Sequence, residues 1–213
     1  MQYFVFILEI IGTVAFALSG AIVGIRKHMD CFGVSVLGLT AACGGGLIRD
    51  ILLGQLPPAM FRNSVYAFTA IGTSLLLFVF AAMRVKYRHQ RLFDVILLVA
   101  DSLGLGIFTV VGAAAVYNAG YGDNMFFTVF LAAVTGVGGG LLRDVMAEQT
   151  PYIFVKHIYA CASIVGAVIY CLTRSVLGEG VSMIVGSVSV VAIRLLAAHF
   201  RWSLPKVKDY GKK

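Results

Sequence analysis

Seven apolar segments, each long enough to cross a bilayer, occupy nearly all of this 213-residue chain: about residues 3 to 25, 32 to 54, 63 to 83, 93 to 116, 124 to 148, 154 to 173 and 180 to 200. Hydrocarbon offers no partner to backbone N–H and C=O groups, so apolar stretches of roughly 20 residues cross it as helices that satisfy those groups internally. The fold class is therefore all-α integral membrane, read as a single transmembrane domain. A mean hydropathy of +0.92 and a charged fraction of 13% agree. The first segment lacks a basic leader and carries Glu9 in its apolar stretch, so it reads as a retained helix rather than a signal peptide. Cys31, Cys43, Cys161 and Cys171 show no CxxC spacing and read as small apolar filler.

Seven crossings put the termini on opposite sides. One side collects Arg26, Lys27, Arg84, Lys86, Arg88, Arg91, Lys156, Arg201, Lys206, Lys208, Lys212 and Lys213; the other holds Arg62 and Arg174. The bias of cytoplasmic loops toward Lys and Arg places the richer side, with the basic tail 201–213, in the cytoplasm and the N terminus outside. The same bias accounts for the net charge of +7, together with attraction to anionic lipid headgroups of the surrounding bilayer. The basic residues lie in short loops without interleaved aromatics, which argues against nucleic-acid binding. Tyr3, Tyr66, Tyr87, Tyr117, Tyr121, Tyr152 and Trp202 gather near span ends as an interfacial belt.

Within the spans, one seven-residue pattern occurs twice. Gly44, Gly45 and Gly46 are followed by Leu47, Ile48, Arg49 and Asp50; Gly138, Gly139 and Gly140 are followed by Leu141, Leu142, Arg143 and Asp144. The likeness extends further, from Glu9, Gly12, Phe16, Gly20 and Ala21 to Asp101, Gly104, Phe108, Gly112 and Ala113, and from Pro57, Arg62 and Gly72 to Pro151, Lys156 and Gly166. Each unit holds three spans (about 3–83 and 93–173), and an odd number forces the second to enter from the opposite side. The expected architecture is two inverted three-helix repeats plus a seventh helix (3+3+1), an arrangement typical of transporters and channels.

Three consecutive glycines weaken a helix by about 1 kcal/mol each relative to alanine. The second and fifth helices are therefore expected to kink or break at the triplets, with carbonyls freed toward water or a hard cation. The competing expectation is close helix packing through small residues. Adjacent Arg and Asp side chains leave a helix about 100° apart, so Arg49 with Asp50, and Arg143 with Asp144, are expected to need other partners. Glu9 and Asp101, deep in the first and fourth spans, are the first candidates, with Asp50 and Asp144 as alternatives, because an unpaired charge at mid-bilayer costs at least about 2.5 kcal/mol.

Enzymatic readings find little support. Gly136, Gly138 and Gly140 lack the final glycine of a dinucleotide fingerprint, and no Walker lysine follows either triplet. Asp50 and Asp144 as a protease dyad would need one of them protonated, which the neighbouring arginines oppose. His28, His89, His157 and His199 sit near span ends without metal-binding spacing, so no cofactor is implied and no metal beyond transient monovalent cations.

A doubled GGGxxRD motif in seven spans of 3+3+1 order resembles the prokaryotic trimeric intracellular cation (TRIC) channel family, also labelled as uncharacterised membrane proteins or glycine transporter domains. The resemblance covers about residues 3 to 200. It implies a homotrimer in a prokaryotic plasma (inner) membrane, with an hourglass pore inside each protomer lined chiefly by the kinked second and fifth helices, and conduction of monovalent cations, potassium or sodium ions, with potassium foremost. It assigns the pore and its charge network to Gly44, Gly45, Gly46, Gly138, Gly139 and Gly140 with Arg49, Asp50, Arg143 and Asp144. The lysine-glutamate-valine signature of the animal relatives is absent. Two further functions stay open: a secondary transporter for a small zwitterion such as glycine, held by half-helix N termini after each triplet, and a structural subunit that uses the glycines only for packing.

Overall fold

A computed structural model describes residues 2–83, 90–155 and 158–202, with side chains for 2–83, 92–154 and 158–202. Arg84, Lys86, Tyr87, Arg88, His89, Lys156, His157, Lys206, Lys208, Lys212 and Lys213, which enter the topology and repeat arguments, lie outside the described residues, as does the side chain of Arg91. The described chain is all helical: α1 (Gln2–Arg26), α2 (Cys31–Leu52), α3 (Ala59–Arg62), α4 (Val65–Met83), α5 (Gln90–Asn118), α6 (Met125–Met146), α7 (Tyr152–Val155), α8 (Tyr159–Leu177) and α9 (Glu179–His199). Seven of these are long and apolar enough to cross a membrane.

Local sequence sets the helix ends in matched pairs. The Asp30 carboxylate accepts the Gly33 N–H at 2.7 Å to start α2, and the Asn124 amide oxygen accepts the Phe127 N–H at 3.0 Å to start α6. At the other end the chain turns left-handed at Gly54 (φ 67°) and at Glu148 (φ 50°). Pro57 and Pro58, and Pro151, then forbid continuation and launch the short helices α3 and α7. Each repeat is therefore long, long, short, long. The sequence reading missed the short helices and merged α7 into a sixth span starting at 154, which instead begins at Tyr159.

Packing follows the same order in both halves. Within the first repeat α1, α2 and α4 pack on one another, and within the second α5, α6 and α8 do so; α1 meets α5 and α2 meets α6 between them. The contacts between halves are reciprocal. Phe16 stacks on Phe108 with ring centroids 5.5 Å apart and planes 8° from parallel, and these two residues match in the repeat. A Cβ on Gly45 would lie 2.0 Å from the Thr135 carbonyl oxygen, and one on Gly139 would lie 2.0 Å from that of Ala41. Contacts in which i meets j and j meets i define a twofold relation, so a pseudo-twofold axis passes between α2 and α6. The seventh span, α9, lies against α5 and α8 and breaks the symmetry.

The expected chain break is not found. Both α2 and α6 run as continuous helix through their glycine triplets. Close packing explains the middle glycine of each triplet. In a bilayer, where lipid is as apolar as leucine, helices associate through van der Waals contact and hydrogen bonds, and small residues let backbones approach.

Candidate functional site

Each repeat ends its second span with the pair Arg-Asp, and the structure corrects the expectation that these neighbours cannot bond. Arg49 Nε donates to Asp50 Oδ1 at 2.8 Å, and Arg143 Nε to Asp144 Oδ1 at 2.8 Å. The 100° between successive Cβ directions constrains short side chains; arginine is long enough to curl around the helix and present Nε to the next residue. The second carboxylate oxygen has a different task. Asp50 Oδ2 accepts the Ala59 N–H at 2.7 Å, at the start of α3, and Asp144 Oδ2 accepts the Tyr152 N–H at 2.9 Å, at the start of α7. Each Asp thus ties its long helix to the following short one, satisfying an N–H that would otherwise be orphaned at membrane depth.

Beyond this shared core, the halves diverge. In the second repeat Arg143, fully buried, donates through Nη1 to Asp101 Oδ1 at 2.8 Å and also to the Ser19 hydroxyl of α1. Gln149 donates to Asp144 Oδ1 at 2.8 Å. Arg194 of α9 adds a second guanidinium, 3.8 Å from Asp101 Oδ2, stacked 4.6 Å from the ring centre of Tyr159. Two carboxylates meet two guanidiniums in a closed cluster: Asp101 and Arg143 are 0% exposed and Arg194 is 2% exposed. Asp101 is therefore a partner of Arg143, as the sequence leads one to expect.

In the first repeat Glu9 holds the place of Asp101, but it does not pair with Arg49. Its carboxylate accepts the Tyr66 hydroxyl at 2.5 Å, and no cationic nitrogen among the described residues lies within 4.0 Å of it. Glu9 instead faces a cavity of about 40 Å³, lined by Glu9, Thr13, Ala42, Cys43, Gly46, Leu47, Arg49, Asp50, Ala59, Met60, Tyr66 and Phe108. The triplets divide accordingly. Gly45 and Gly139 form the helix crossing. Gly46 opens onto the cavity, where an added Cβ would meet nothing closer than Arg49 Nη2 at 3.8 Å. Gly44 faces Leu142, Gly138 approaches Gly45, and Gly140 faces the Tyr159 hydroxyl.

Sequence reasoning gave Arg194 no role, assigned Tyr66 to the interfacial belt, and overlooked Ser19 and Tyr159. An arginine at membrane depth demands a carboxylate or a ring face, and that signal was sufficient for Arg194. For the hydroxyls no signal existed, since serine and tyrosine in a span usually bond to their own helix or lie at the interface.

Fold and site together define a multi-pass membrane protein of inverted-repeat architecture, with a buried guanidinium–carboxylate cluster in each half. A family model described as Glycine transporter matches twice, over residues 6–82 and 98–175. A UPF0126 membrane protein of Deinococcus radiodurans is 41% identical over 75% of this chain and 72% of its own. The UPF0126 inner membrane protein YadS of Escherichia coli strain K12 is 37% identical over 94% of this chain and 95% of its own. Among solved structures, a prokaryotic TRIC channel crystallised in 0.5 M KCl superposes with a TM-score of 0.87 at 33% identity, covering 96% of this chain and 100% of that one. A chain from work on the structural basis for conductance through TRIC cation channels gives 0.83 at 36% identity, covering 97% and 98%. The chain belongs to this family of prokaryotic TRIC channels and UPF0126 membrane proteins.

Proposed function

We propose that the protein is a cation channel of a prokaryotic inner membrane, permeable to potassium, with a pore inside each protomer of a homotrimer and with its N terminus outside. The observation that carries this reading is the full-length likeness to prokaryotic TRIC channels at about one-third identity. The chain acts as a single transmembrane domain, with repeats about 3–83 and 93–173, a seventh helix about 180–200 and a basic cytoplasmic tail. The pore passes beside the crossing of α2 and α6. Gly45 and Gly139 hold that crossing, and Gly46 borders the open side.

Arg143 holds helices together away from the path, and Arg49, which borders the cavity, is paired with Asp50 at 2.8 Å, because an unpaired guanidinium in a narrow pore would repel cations. Asp50 and Asp144, each engaged by an arginine and a backbone N–H, stabilise the same joints. Glu9 is the carboxylate available to draw cations. A glycine carrier would use half-helix N termini after the triplets, and the continuity of α2 and α6 removes that feature.

The test is flux from proteoliposomes of purified protein, with radiolabelled glycine counterflow measured in parallel. Passive potassium flux without glycine counterflow is expected. Saturable glycine counterflow without ion flux would transfer the site to a carrier, and absence of both would leave a structural role.

A further inference from the structure

The two buried clusters match in sequence yet differ in charge. In the second repeat, Asp101 and Asp144 are balanced by Arg143 and by Arg194, which approaches from α9. The first repeat has no helix corresponding to α9 among the described residues. There, Glu9 and Asp50 share the single guanidinium of Arg49, which Asp50 takes at 2.8 Å. One carboxylate, Glu9, has the Tyr66 hydroxyl as its only hydrogen-bond partner among the described residues, and it borders the cavity of about 40 Å³. An excess negative charge at membrane depth, beside open space, leaves room for a mobile counter-ion.

We infer that this cavity is a resident site for one monovalent cation, held by the Glu9 carboxylate with the Tyr66 and Thr13 hydroxyls, and that Arg194 is its covalently tethered counterpart in the second repeat. The inference deepens the channel reading and rests on it for the identity of the ion. Pseudo-symmetry supplies an observation independent of the cavity: the molecule itself places a cationic group against Asp101, the residue that corresponds to Glu9.

The charge chemistry selects a monovalent ion. Calcium takes six to eight oxygens, usually from several carboxylates, whereas here Asp50 is already engaged and one carboxylate remains. At about 10–15 Å³ of cavity space for each water, the cavity of about 40 Å³ holds an ion that keeps one or two waters, which suits exchange better than permanent capture. The two halves are therefore inequivalent. An ion can leave and re-enter beside Glu9, whereas Arg194 fills the matching place beside Asp101 permanently. An inverted-repeat protein would in this way have one exchangeable cation site per protomer in place of two.

The experiment is anomalous scattering from crystals of the full chain soaked in a thallous salt, thallium(I) serving as the potassium probe. One peak within coordinating distance of the Glu9 carboxylate is expected, with none beside Asp101. In Glu9→Gln the peak falls to background, and in Arg194→Gln a second peak arises beside Asp101. No peak at Glu9 in the unmodified protein, a peak that persists in Glu9→Gln, or a peak beside Asp101 while Arg194 is present would each overturn the inference. So would a folded Arg194→Gln protein without the second peak. Should Arg194→Gln not fold, the unmodified protein and Glu9→Gln still decide. Potassium flux, measured separately, distinguishes the two claims: an occupied site without flux leaves this inference standing and removes the channel reading, and flux without an occupied site does the reverse.

Discussion

Replacing each glycine of one triplet by alanine separates packing from flexibility. In Gly45→Ala the new methyl carbon would lie 2.0 Å from the Thr135 carbonyl oxygen, where real Cβ contacts stay beyond 3.0 Å. The obstacle is backbone, so no side chain can swing away, and α2 and α6 must separate by at least about 1 Å. A gap of that size forfeits a quarter to a half of each dispersion contact across the crossing. Overpacking costs about 1–3 kcal/mol, and a backbone obstacle places this site at the upper end. The gain in helix propensity returns about 1 kcal/mol, which leaves a net loss of about 2 kcal/mol. In Gly46→Ala the nearest atom is 3.8 Å away, so the propensity gain stands alone and the protein becomes more stable by up to about 1 kcal/mol. Gly139→Ala should match Gly45→Ala, and the double variant should cost less than the sum, because one displacement relieves both clashes. Equilibrium unfolding in mixed micelles of increasing SDS content measures these differences. Were Gly46→Ala as damaging as Gly45→Ala, or Gly45→Ala neutral, the triplets would act through backbone flexibility and the packing account would be refuted.

Other outcomes follow from the same geometry. Asp144→Asn removes one of the two carboxylates that Arg143 engages while Asp101 remains, and should lower stability by about 1.5–3 kcal/mol, the range for a hydrogen bond to a charged group, as read by the same unfolding assay. Ser19→Ala removes a hydroxyl bonded to the buried Arg143 and should cost about 1.5–3 kcal/mol; an effect below 0.5 kcal/mol, roughly the spread for an uninvolved surface site, would contradict that contact. In intact cells Asp123→Cys, in the turn before α6, should react with a membrane-impermeant maleimide added outside, whereas a cysteine placed in the 27–30 turn should react only after permeabilisation. The opposite pattern would invert the topology.

The spans were legible because twenty apolar residues in a row permit one solution in hydrocarbon, and the inverted repeat because three spans per unit force it. The middle glycines could be ranked as packing residues only once the carbonyls of Ala41 and Thr135 were seen against them; a glycine triplet reads alike whether it bends a helix or admits a neighbour. The Arg-Asp pairs misled because helical angle alone was weighed, without the reach of arginine. The asymmetry of the site was hidden for a related reason. Glu9 and Asp101 look interchangeable as letters, and the difference between them arises from Arg194, almost two hundred positions from Glu9 in sequence and brought to Asp101 by a helix outside the repeat.

The channel reading meets its most direct test in planar-bilayer recording of the purified protein under a potassium chloride gradient. The account predicts unitary currents that reverse near the potassium equilibrium potential and continue without glycine. Purified, folded protein that passes no current, or currents that reverse at the chloride potential, would contradict it.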